Sequence, residues 1–128
     1  MTVGFSQEQH MNRNDFLGIW DLNWSESGFF PDDDLLFSRK TTKYSNYVFE
    51  FKDDGTLLHH RSPGMSCMVG EFSLTTGSWQ YEDNIMTLEL KGAIMADYNF
   101  WYILSYRVEK NKKKMWLKLE KQIKNEHF

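Results

Sequence analysis

The stretch "NFWYILSYRVE", residues 99–109, decides how this chain folds. Phe100, Tyr102, Leu104, Tyr106 and Val108 recur at every second position, while Trp101, Ser105, Arg107 and Glu109 fall between them. Period two is the repeat of a β-strand, whose successive side chains point to opposite faces. Next, "EKNKKK" reads as a polar turn, and "MWLKLEK" returns with Met115, Leu117 and Leu119 facing in against Lys118 and Glu120. The spacing predicts an antiparallel strand pair.

The same repeat extends toward the N-terminus. "GSWQYEDNIMTLEL" puts Trp79 and Tyr81 in phase, turns at Glu82 to Asn84, and brings Met86, Leu88 and Leu90 into phase on the return. "MSCMVGEFSL" aligns Met68, Phe72 and Leu74, with Gly70 a candidate bulge; a bulge there or at Gly92 would exchange inside for outside. "YSNYVFEFKDDGTLLHHR" is a hairpin in which Tyr47, Phe49 and Phe51 alternate with Val48 and Glu50, Asp54-Gly55 forms the turn, and Thr56 to Arg61 returns. A first strand, about Ile19 to Ser25, places Trp20, Leu22 and Trp24 on one face. Before it, Asn14 or Asp15 caps a short helical turn that Gly18 ends. The segment 25–43, "SESGFFPDDDLLFSRKTTK", has no clean period and is long for a connection; its Phe29, Phe30, Leu35, Leu36 and Phe37 suit a lid.

These readings give about eight strands joined mostly by hairpins, with no βαβ pattern. The expected fold is all-β: an eight-stranded antiparallel up-and-down β-barrel with a short N-terminal helical turn. Closure removes the unpaired edges of such a meander and leaves room for packed side chains or one small ligand. At 128 residues the chain suits one domain, with residues 14–122 as the barrel, 1–13 as a flexible tail and 123–128 as a second tail. Fifteen basic and 18 acidic residues, a net charge of −3, argue against nucleic acid and anionic lipid as partners. No apolar run is long enough for a membrane-spanning helix. Cys67, the only cysteine, cannot form an intramolecular disulfide. As written the N-terminus suits a cytoplasmic protein, or an exported one if residues 2–7 are the remnant of a trimmed signal peptide.

Two short motifs carry a family resemblance. "FLGIW", 16–20, resembles the Gly-x-Trp signature that opens the first strand of lipocalins, and "ADYNFWY", 96–102, is similar to their Thr-Asp-Tyr signature before the seventh strand, with Ala96 in place of Thr. Their order and separation, the long loop after strand one and the strand count make the chain resemble a divergent or minimal member of the lipocalin-like calycin barrels. The resemblance implies that Gly18, Trp20, Asp97 and Tyr98 are scaffold residues. That family also packs an arginine from its last strand over the tryptophan; here the last strand carries Lys118 and Lys121, with Arg107 one strand earlier.

Function is sought in the interior. Inward rows formed by Tyr47, Phe49, Phe51, Phe72, Trp79, Tyr81, Met86, Leu88, Phe100, Tyr102 and Tyr106 would line a mainly apolar space with several phenolic hydroxyls, the make-up of a small-molecule pocket. The first expectation is therefore binding of one small hydrophobic molecule in the barrel, without a cofactor and with the 25–43 loop as lid. The second is a small isomerase or cyclase using His60, Tyr81 and Tyr102 as acid-base groups, with His60 facing inward beside Leu58. The third is a filled barrel acting through its outside, where Trp101 and Trp116 on the outward phase could join two copies. His59 and His60 point to opposite faces of a strand and suit no shared metal, and Asp32, Asp33 and Asp34 lack the spacing of an EF-hand loop. Cys67, Ser25, Ser62 and Ser66 lack nucleophile motifs.

Overall fold

The computed structural model describes residues 11–23, 27–39, 47–60, 72–94 and 98–128. Readings that rest on residues 1–10, Trp24, Ser25, 40–43, Ser62, Ser66, Cys67, Met68, Gly70, Ala96 and Asp97 lie outside the described residues.

A 3-10 turn, Arg13–Phe16, leads into eight strands: β1 Gly18–Leu22, β2 Leu35–Arg39, β3 Val48–Phe51, β4 Leu57–His60, β5 Phe72–Glu82, β6 Ile85–Ile94, β7 Tyr98–Lys110 and β8 Lys114–His127. They form one antiparallel sheet in the order β4-β3-β1-β2-β8-β7-β6-β5. Its two outer strands meet at the Thr56–Ser78 bridge, and the Trp79 amide donates to the Gly55 carbonyl at 2.9 Å, so the sheet curls into a nearly closed barrel. The all-β, eight-stranded antiparallel barrel expected from the alternation is the fold that forms.

The strands differ from the expected set in three places. Leu35–Arg39, read as part of a loop, is β2, and it lies between β1 and β8 rather than following a simple meander. Leu35, Leu36 and Phe37 are all buried, because Leu35 and Phe37 face the interior while Leu36 sits beside Trp116 on the outer side. A strand covered on both faces loses the period-two pattern. Second, the segments expected as two strands around Phe72 and Trp79 are one, β5. Thr75 is an extra residue: Leu74 pairs with Gly92 and Thr76 with Lys91, so the inward set changes from even to odd positions within one strand. A Cβ at Gly92 would collide with the Ser73 carbonyl oxygen, which is why a glycine stands opposite the bulge. Third, residues 123–127 continue β8 rather than forming a tail. Glu120 and Ile123 are extra residues against β7, and each interrupts the alternation.

One end of the barrel is closed by the 3-10 turn. Asn12, not Asn14 or Asp15, is its N-cap: the Asn12 side chain accepts from the Asn14 amide, and Asp15 Oδ2 accepts from the Asn12 amide, both at 3.0 Å. This reciprocal capping holds Phe16 beneath the barrel floor, fully buried. Trp20 Nε1 donates to the Phe16 carbonyl at 3.0 Å. Above Trp20, the Arg39 guanidinium lies 3.8 Å from the ring centroid and donates to the carbonyls of Leu17 (2.9 Å) and Asp15 (3.2 Å). Gly18 has φ +114, and a Cβ there would lie 3.0 Å from Arg39 Nη1. Glycine permits both the backbone turn and the arginine's approach.

Arg39→Ala removes two charge-assisted hydrogen bonds and the cation–ring contact, and is expected to destabilise the fold by about 2 kcal/mol. Arg39→Lys should recover less than half of that, because an ammonium cannot span two carbonyls while stacking. Urea midpoints of the three proteins test this; equal midpoints for wild type and Arg39→Ala would show that the closed end does not depend on the arginine.

Candidate functional site

Alternation on β3 and β5–β8 aims large side chains at one axis. Phe49, Phe51, Phe72, Trp79, Met86, Leu88, Phe100, Tyr102 and Tyr106 are all buried there, and Tyr47 and Tyr81 pack against this core while partly exposed. The eleven residues picked from the alternation thus share the interior.

They divide between two ends. At the closed end the Tyr81 ring lies 4.6 Å from Phe16 and its hydroxyl donates to Asn84 Oδ1 at 3.0 Å, while Trp79 meets Phe51 at 5.4 Å and donates through Nε1 to the Lys52 carbonyl. At the other end Phe72, Phe100 and Tyr102 form a near-parallel stack, with centroids 5.3 and 4.5 Å apart and interplanar angles of 14° and 12°. Tyr102 Oη meets His127 Nε2 at 2.9 Å, and His127 stacks on Tyr98. Burial raises the pKa of the Tyr102 phenol, with Asp32 and Tyr98 adding to the shift. Desolvation likewise raises that of Tyr81, against the opposing effect of its bond at Asn84.

Phe29 and Phe30 complete this second end. The Phe29 ring lies 5.0 Å from Phe72 and 5.1 Å from Tyr47, and Phe30 stacks on Phe72 at 5.7 Å. Each aspartate of the triplet has its own bond. Asp33 Oδ2 accepts from the Phe29 amide at 3.1 Å, Asp34 Oδ1 from the Leu119 amide at 2.8 Å, and Asp32 Oδ1 from Gln122 Nε2 at 2.8 Å. Residues 29–34 are thereby fastened to β8, and the part of the expected lid that is described divides into this aromatic plug and strand β2. Among the described residues no three His, Cys, Asp or Glu side chains gather as a metal site.

Tyr106 differs from the other tyrosines. It is fully buried, and its hydroxyl has no hydrogen-bond partner among the described residues. Burial pushes its pKa well above the usual phenol range, and the charges of Asp34 and then Asp33 push the same way. Both carboxylates accept bonds from backbone amides, at Leu119 and Phe29.

The three acid-base candidates do not converge. The Asp54-Gly55 turn sets Phe51 opposite Leu57 and Phe49 opposite His59, so Leu57 and His59 take the inner phase. His59 stacks 4.8 Å from Phe49, whereas His60 faces outward, its Nε2 2.8 Å from Glu50 Oε1. The inward histidine is therefore His59 and not His60, and Leu57 rather than Leu58 shares its face. Tyr81 and Tyr102 lie toward opposite ends of the interior. Trp101 and Trp116 are also apart. Trp116 pairs with Glu109, eight residues along β7 from Trp101, or roughly 26 Å at about 3.3 Å per residue. Trp101 lies between Lys91 and Lys124, each 4.2 Å from its ring, and donates to Glu89. The two tryptophans do not form one continuous patch.

Outside the closed end a groove of about 750 Å³ is bordered by Arg13, Asp54, Trp79, Tyr81, Glu82 and Asp83. Its walls are largely polar and it opens to water. No helix among the described residues is long and apolar enough to cross a membrane. Comparison with protein-family models, with curated proteins and with solved structures finds no match.

Removing a buried hydroxyl that lacks a partner should stabilise the fold. Tyr106→Phe is expected to raise the unfolding free energy by about 1–3 kcal/mol, read from urea denaturation; a loss of stability would show that the hydroxyl is bonded. The raised tyrosine pKa values also fix an alkaline limb. Above about pH 10 an unfolded tyrosine loses its proton while the folded one retains it. Stability is then full below about pH 10 and falls as pH rises above it. Tyr106→Phe should make that fall shallower, and parallel slopes would contradict the assignment.

Proposed function

We propose that this protein is a calycin-like binding protein that holds one small, mainly apolar ligand inside the barrel, taken up where Phe29 and Phe30 lie over the Phe72 ring. The observation that carries the reading is the Tyr106 hydroxyl. A fully buried phenol with no partner among the described residues is a polar handle inside an otherwise apolar interior. Small-molecule sites combine apolar walls with a few such groups. Because the plug belongs to a connecting segment and not to the barrel wall, it can yield without breaking the sheet.

The kinship with lipocalins gains support from the closed end. Gly18 and Trp20 stand in the signature positions, and an arginine does stack over the tryptophan. It is Arg39 on β2, the strand lying between β1 and β8, and not a residue of the last strand. Tyr98 does not join them: it is half exposed and stacks on His127 at the start of β7, whereas Lys110 at the end of that strand lies over Trp20, so the second signature stands at the opposite end of the barrel from the first.

A second reading has its own support. Ring contacts run without interruption from Phe16 through Trp79, Phe51, Phe37 and Phe49 to Phe72, as expected of an interior filled by its own side chains. Titration with the neutral dye N-phenyl-1-naphthylamine separates the two. A binding barrel takes up one equivalent saturably, with a blue-shifted emission, and Phe29→Ala with Phe30→Ala speeds uptake. No saturable uptake by either protein supports the filled barrel and defeats the proposal.

A further inference from the structure

Resting on the binding reading above, we infer that the ligand is a neutral, hydrogen-bond-accepting molecule, a carbonyl compound with a flat apolar body, and not a carboxylate such as a fatty acid. No lysine, arginine or carboxylate is buried in the interior among the described residues; the imidazoles on the inner phase are His59, half-buried and stacked on Phe49 and Phe72, and His127, exposed and bonded to the Tyr102 hydroxyl. Placing a carboxylate there would desolvate it with no cation to offset the loss.

The arginine and the lysine on the inner phase are already committed. Arg39 spans the Leu17 and Asp15 carbonyls, and Lys110 donates to the Asn111 carbonyl; both lie over the Trp20 ring, at 3.8 and 5.5 Å, with that ring fully buried. The charges that do bear on Tyr106 are negative, those of Asp34 and Asp33. They favour a protonated phenol, which donates one hydrogen bond, and they oppose an anion beside it. A ligand carbonyl oxygen meets this demand. The shape follows from the near-parallel rings of Phe72, Phe100 and Tyr102, on which the Phe30 ring of the plug already stacks at 5.7 Å; a flat molecule can take that ring's place when the plug yields.

Three probes of one shape test the inference: 2-acetylnaphthalene, 2-ethylnaphthalene and 2-naphthoate, measured by equilibrium dialysis at neutral pH against wild type and Tyr106→Phe. In wild type the ketone should bind about tenfold tighter than the hydrocarbon, and the carboxylate weakest of the three. In Tyr106→Phe the ratio of ketone to hydrocarbon affinity should fall to about one. A carboxylate that binds tightest in wild type, or a ketone preference that survives in Tyr106→Phe, overturns this inference and leaves the binding reading standing. Failure of all three probes to bind overturns both.

Discussion

Arg39 over Trp20 is the contact on which the arrangement of this barrel depends. One guanidinium, 3.8 Å above a buried indole, also holds two carbonyls at the end of the 3-10 turn. It thereby fixes the end of β2 against the start of β1 and seats Phe16 under the barrel. With β2 held between β1 and β8, the chain from 27 to 34 must fold over the other end before the strand begins. Asp32, Asp33 and Asp34 then fasten that segment, and Phe29 and Phe30 come to rest on Phe72. The latch at one end and the plug at the other follow from one inserted strand.

Between these ends the interior is apolar with one exception. Tyr81 and Tyr102 lie near the rims, where Asn84 and His127 meet their hydroxyls. Tyr106 lies deeper and has no partner among the described residues. A phenylalanine would fill nearly the same space without the penalty of an unpaired hydroxyl. Natural proteins depart from the most stable local choice chiefly where function requires it. The proposed binding function rests on this one departure, and the chemistry inferred for a ligand rests on the charges around it.

Most of the barrel could be read from residues whose pattern is set by one buried face. β6 and β7 pair from Ile85 with Arg107 to Ile94 with Tyr98 without a break, and there the alternation named the inward residues. It failed where another constraint governs the pattern. Burial on both faces hid β2. Thr75 in β5, and Glu120 and Ile123 in β8, inserted single residues that no propensity marks, although Gly92 did point to a close backbone approach. On β4, Leu57, Leu58, His59 and His60 alternate in no telling way, so the turn geometry decided the phase and put His59 inside. The interior set was legible from strand periodicity; Tyr106's lack of a partner was not, since it depends on which groups the folded loop brings near.

The most direct test is native mass spectrometry of the protein isolated from its own cells without denaturation. The account predicts a mass above that of the polypeptide by one neutral small molecule, released on unfolding and free of any carboxylate. A bare polypeptide mass that stays unchanged after incubation with neutral aromatic ketones would contradict it and leave a barrel filled by its own rings.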